Sequence, residues 1–233
     1  MDMELFFEET GSGRPLILLH GNGESHEYFQ HQIPVFSRFF RVIALDTRGH
    51  GRSPRGEKPF TIRQFADDLR HFMTKQKIEK AHLLGFSDGG NIALAFAQEH
   101  PEMVEKLVLN GANLNPKGVK RIVQIPIEAG YAIASLFARK SVQAARKAEM
   151  LGLMVNEPNG KPEELQHLTM PVLVIAGTHD MIKASHTKLI WESLPNAQLA
   201  WIPGNHFIAN RKPEEFNRAV LDFLLGEKDT TEK

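Results

Sequence analysis

The chain has 233 residues, no cysteine, and 28 basic side chains balanced by 28 acidic ones. Zero formal charge argues against a nucleic-acid or polyanion binder, whose affinity rests on neutralising phosphates. The lack of cysteine excludes disulfides, thiolate catalysis and cysteine-ligated metals. The length suits one α/β domain with a sizeable core and a small insertion.

Residues 1–9 are acidic and hold no apolar run of signal-peptide length, so the cytoplasm is the expected location. Residues 4–8 read as an antiparallel strand leading into a sheet. Short apolar runs then recur at 16–19, 42–45, 82–84, 107–109, 172–175 and 199–202, each ending near Gly, Asp, Asn or His. Runs without polar alternation suit parallel strands covered on both faces. Helical patterns lie between them at 24–39, 61–75, 89–99, 182–193 and 213–225. The last starts with Pro213 followed by Glu214 and Glu215, proline in the first turn and acids at the positive dipole end. This alternation predicts a doubly wound, mostly parallel α/β sheet.

The alternation breaks once, between Asn110 and Met170. Residues 116–155 read as an inserted helical lid, and Pro162 begins a short helix that returns the chain to the sheet. The expected division is a core from 1–115 and 156–233 with the lid at 116–155, one domain in all. Residues 122–138 are mostly apolar but short for a bilayer span and interrupted by Gln124, Pro126, Glu128 and Gly130. They read as a helix packed against its own protein, with a homodimer through this segment as the other possibility. The lid's excess of Lys and Arg reads as solvated helix faces. Residues 227–233 read as a frayed tail.

Gly85-Phe86-Ser87-Asp88-Gly89 lies between a strand pattern and an Ala-rich helix pattern. A serine on such a turn is held in strained geometry that exposes its hydroxyl, and the flanking glycines avoid collisions with strand and helix. A serine hydroxyl needs a base, and the base needs an orienting group. Among eleven histidines, His206 alone follows the last strand pattern and precedes the last helix, and Asp180 holds the equivalent place one strand earlier. Strand carboxyl ends are where a doubly wound sheet builds its site, and Ser87, Asp180, His206 is the order expected with a serine elbow. Asp46 reads instead as a turn anchor bonding backbone amides and Arg48, and His20 as a loop brace. His179, His71 and His186 read as solvated. Oxyanion donors are expected at the backbone N–H of Asp88 and of Asn22, the latter in His20-Gly21-Asn22-Gly23.

These segments, with Asp46-Thr47-Arg48-Gly49-His50-Gly51-Arg52-Ser53 and Gly177-Thr178-His179-Asp180, resemble successive signatures of the α/β-hydrolase superfamily over nearly the whole chain. The elbow continuing into Asp88-Gly89-Gly90 is similar to that of valacyclovir-hydrolase-like small esterases. The resemblance implies hydrolysis of an ester, thioester, lactone or activated amide without a cofactor or metal, and the same triad and oxyanion assignments by position. Serine at the elbow argues against a dehalogenase. Two departures stand out: the chain starts late, so the family's usual first strand is expected to be missing, and the lid has room for about two or three helices. Candidate substrate-binding residues are Phe86, Phe207, Ile125, Tyr131, Ile133 and Phe137. The reading is a serine esterase acting on a small molecule, with no nucleic-acid or membrane partner. The alternatives are a perhydrolase, a carbon–carbon bond hydrolase, or a ligand receptor without turnover.

Overall fold

The computed structural model describes residues 3–226, so the expected tail at 227–233 lies outside the described residues. Seven strands form one sheet: β1 (Phe7–Thr10), β2 (Pro15–Leu19), β3 (Arg41–Leu45), β4 (Ala81–Phe86), β5 (Val104–Asn110), β6 (Val172–Gly177) and β7 (Ala197–Ile202). Their order across the sheet is β1-β3-β2-β4-β5-β6-β7. Only β1 runs antiparallel, pairing Phe7 with Leu45 at the edge. The remaining pairs are parallel, as the unbroken apolar runs require.

Side chains alternate across the pleat, so each strand feeds two cores. Ile17, Leu19, Ile43, Leu45, Leu83, Leu107 and Leu109 pack under α2 (Ile62–Lys75) and α3 (Asp88–Glu99). Leu16, Leu18, Val42, Leu84, Val108 and Ile175 face α1 (Ile33–Phe36) and α8 (Pro213–Leu225). α6 (Ala184–Ser193) and the short α7 (Ile208–Arg211) follow β6 and β7. Thr61 starts α2 by accepting from Gln64 N through its hydroxyl, a side-chain cap on an otherwise unpaired amide.

Several expected boundaries move. Residues 24–39 are not one helix but a 3-10 turn at His26–Phe29 and the four-residue α1. Pro34 has no N–H to donate, so a helix cannot run through from residue 30. Ile182 leaves α6 to bridge Val119 in antiparallel pairing. The edge strand starts three residues and ends two residues beyond its expected place, at Phe7–Thr10.

Two helices are inserted between β5 and β6: α4 (Arg121–Phe137) and α5 (Val142–Asn156). They pack on each other, with Gln124 Nε2 donating to Met154 O at 3.1 Å. The expectation that residues 122–138 pack against the protein holds for one face only. Ile122, Ile125, Ile133, Leu136 and Phe137 are all more than half exposed. No helix among the described residues is long and apolar enough to cross a membrane.

Candidate active site

Ser87 closes the turn between β4 and α3. Its backbone has φ +53° and ψ −120°, a region that side chains larger than glycine rarely occupy. Glycine is required on both sides. A Cβ on Gly85 would lie 2.2 Å from Gly89 O, and one on Gly89 would lie 2.0 Å from Leu19 O. Ser87 N donates to Asn110 O at 2.8 Å, which fastens the turn to the end of β5.

The loops after β6 and β7 supply the other two residues. His206 Nε2 lies 3.0 Å from Ser87 Oγ, and His206 Nδ1 lies 2.7 Å from Asp180 Oδ1. A carboxylate at Nδ1 makes that nitrogen the donor and leaves Nε2 as the acceptor facing the hydroxyl. Asp180 is held in turn, its Oδ1 accepting from Ile182 N at 2.9 Å and its Oδ2 from Gly177 N at 3.4 Å. The two loops are tied by His179 N donating to Gly204 O at 2.8 Å. Asp180 and His206 are buried and Ser87 is half-buried, so the hydroxyl is the part of the trio that solvent reaches.

The two amides expected as oxyanion donors lie on neighbouring segments. Asp88 N heads α3, where first-turn amides have no intrahelical acceptor. Among the described residues, neither Asp88 N nor Asn22 N donates to another group of the chain. The Asn22 loop lies against the elbow: a Cβ on Gly21 would sit 3.0 Å from the Phe86 ring. His20 braces this loop, accepting from Thr47 N at Nε2 (3.0 Å) and donating from Nδ1 to Gly21 O (2.7 Å). Burial, with His50 nearby, lowers the His20 pKa to about 4, which keeps the ring neutral for that role. The Asn22 side chain reaches the insertion, its Nδ2 donating to Met150 O of α5 at 2.6 Å.

Three side chains near the trio were not anticipated. Glu24 Oε2 accepts from Gly21 N at 3.2 Å, and burial pushes its pKa up to about 7. Asn91 Nδ2 donates to Asp88 Oδ1 at 3.1 Å, while Asn91 Oδ1 accepts from Asn113 N at 2.9 Å. Burial raises Asp88 to about 6. The Asp88–Asn91 spacing of three on a helix was a readable signal, whereas Asn113 arrives through tertiary packing alone. A cavity of about 950 Å³ between α2, α3 and the 157–167 segment reaches Asn91 and Asn113 but is lined by none of Ser87, Asp180 and His206.

Other expectations need correction. Asp46 does bind backbone amides, those of His26 and Arg52, both at 2.7 Å. It does not bind Arg48, whose guanidinium makes a buried two-point pair with Asp68 at 2.7 Å for each contact. His186 is buried rather than solvated, its Nε2 accepting from Leu114 N at 2.9 Å. His71 is half-buried, donating from Nδ1 to Asp67 O. His179 is exposed as expected. Of the candidate wall residues, Phe86 is buried with its ring 4.8 Å from that of His206, and Phe207 lies 5.6 Å from His206 on the exposed side. Tyr131 is half-buried against Gly152 of α5. Ile125, Ile133 and Phe137 lie on solvent-facing surface and not in a closed pocket.

A model of the family described as alpha/beta hydrolase fold matches residues 14–132. A putative carbamate hydrolase, RutD, of a Caulobacter species is 33% identical over 91% of this chain and 91% of its own length. The human serine hydrolase BPHL is 29% identical over 95% of this chain and 83% of its own. Among solved structures, the meta-cleavage product hydrolase CumD of Pseudomonas fluorescens superposes with a TM-score of 0.78 at 26% identity, covering 96% of this chain and 94% of that one. The chain belongs to the α/β-hydrolase fold family.

Proposed function

We propose that this hydrolase cleaves a small, mainly uncharged carboxylic ester through an acyl-enzyme on Ser87, thioesters, lactones and activated amides being accessible to the same chemistry. The observation that carries the reading is the run of contacts from Asp180 through His206 to Ser87, at 2.7 and 3.0 Å, on a strained elbow. Ser87 Oγ attacks the carbonyl carbon while its proton passes to His206 Nε2. Asp180 holds the ring and stabilises the imidazolium. The oxyanion is received by Asn22 N and Asp88 N, donors worth a few kcal/mol each in such sites. Collapse expels the alcohol, which takes the proton from His206. Water then gives a proton to the same ring, attacks the acyl carbon and restores Ser87. No step requires a cofactor or metal. Phe86 and Phe207 border the reacting centre, and α4 and α5 act as its lid.

A second reading has its own support. RutD, the relative at 33% identity, carries the name putative carbamate hydrolase, and CumD is named a meta-cleavage product hydrolase. The same trio serves both reactions, because fold does not choose between carbonyl substrates. The experiment is labelling with a fluorophosphonate serine probe, adduct mapping by mass spectrometry, and turnover of short para-nitrophenyl esters beside aryl carbamates. Adduct at Ser87 with sustained ester turnover establishes the first reading. Carbamate turnover exceeding ester turnover moves the assignment to the second. Labelling without turnover of either refutes the ester and carbamate assignments and directs the search to other substrates or to a ligand receptor.

A further inference from the structure

We propose that α4 is a two-fold, antiparallel self-association surface centred on Ala129. Its outward face carries Ile122, Ile125, Ala129, Ile133 and Leu136, and the four large residues are 83, 52, 61 and 76% exposed. At 100° per residue these five fall within one stripe about 80° wide. A contiguous exposed apolar stripe of this kind marks an interaction site rather than ordinary surface scatter. Its opposite face is already used: Gln124 bonds α5, while Gly130 and Tyr131 pack on Leu151 and Gly152.

The spacing identifies the occupant. Steps of three, four, four and three residues are a palindrome about Ala129. An antiparallel copy turned about that residue sets Ile122 against Leu136 and Ile125 against Ile133. It brings the two small Ala129 side chains together, where helices approach most closely. A two-fold interface requires this self-complementarity, each residue meeting its mirror partner. A 17-residue helix spans about 25 Å, so the buried area falls at the low end for specific pairs and the dimer should be concentration-dependent. The stripe residues are uncharged, so this contact should hold as salt rises, whereas attachment to an anionic membrane would weaken.

Sedimentation velocity of the full chain through the micromolar range tests this. The wild type should shift from monomer to dimer with concentration, in high salt as in low. Leu136→Glu enters a two-fold interface twice, so a tenfold loss per copy weakens the dimer about a hundredfold. Leu136 is largely exposed, so its thermal midpoint should not move. The chain has no thiol of its own, so Ala129→Cys gives a clean probe. A short bismaleimide should join two such copies, while Val142→Cys, off the stripe, stays monomeric. A wild type that remains monomeric throughout, a dimer indifferent to Leu136→Glu, or no cross-link at residue 129 each overturns the proposal. A monomer that binds anionic vesicles would assign the face to a membrane instead.

Discussion

Gly89→Ala tests whether backbone packing at the elbow is what holds the candidate site together. The new methyl would lie 2.0 Å from Leu19 O and 2.5 Å from His20 O, both backbone atoms that cannot rotate away. Restoring an ordinary contact of roughly 3.4 Å moves the start of α3 and the end of β2 apart by about 1.4 Å. Overpacking of this kind costs about 1–3 kcal/mol. For a chain of this size that lowers the melting temperature by roughly 2–12 °C. The displacement falls on Ser87 and on the Asn22 loop together, and a shift near 1 Å at a reacting centre costs about a hundredfold in rate. The assay pairs calorimetric melting with kcat on a short ester, using Gly160→Ala as control. A Cβ at Gly160 meets nothing nearer than 3.6 Å, so that variant should match the parent in both measurements. If Gly89→Ala melts within a degree or so of the parent and keeps about half its activity, the packing argument is wrong.

The trio predicts that Ser87→Ala and His206→Ala abolish ester turnover with unchanged circular dichroism. Asp180→Asn should lose several orders of magnitude in kcat through the wrong imidazole tautomer. Asp46→Asn should instead lower the melting temperature while leaving kcat within about tenfold, since Asp46 bonds His26 and Arg52 and not His206; the reverse outcome would reassign the acid. Asp68→Ala removes the carboxylate that pairs at two points with the buried Arg48 guanidinium, which costs about 3–5 kcal/mol. Chemical denaturation should show that loss, and an unchanged midpoint would refute the pair's role. The pH dependence follows from Glu24, whose folded pKa is about 7 against an ordinary 4.5. The protonated acid suits the fold, so this stabilising contribution is complete below pH about 4.5 and lost as pH rises through about 7. Glu24→Gln mimics the protonated form. Its melting advantage over the parent should open between those values, and a gap constant with pH would remove the assignment.

The three candidate catalytic residues could be read from sequence because each combines a distinctive chemistry with a topological address. A hydroxyl between glycines, a carboxylate and an imidazole each follow an apolar run, and parallel strands align those positions at one edge of the sheet. Arg48 shows where this reasoning stops. Its partner could be any nearby acid, and Asp68 was selected by how α2 docks under the 46–55 loop, twenty residues away. His186 failed for the same reason, since which face of α6 meets Leu114 is a matter of packing. Residues 122–138 carry apolar side chains on more than one face, so periodicity could locate the helix but not decide which face the protein covers.

The insertion itself divides into unequal parts. α5 is fastened to the core at three places: Asn22 Nδ2 to Met150 O, Arg55 to Glu149 by two contacts of 2.9 and 2.5 Å, and Ile62 N to Glu157 at 2.6 Å. α4 rests on α5 and turns its other face outward. The first of the α5 tethers joins the residue whose amide we propose as an oxyanion donor. Changes in α5 therefore have a direct route to the reacting centre through the Asn22 loop, while the outer face of α4 has none. That separation leaves the α4 stripe free to serve association without disturbing the chemistry, because the two functions use opposite sides of one helical hairpin.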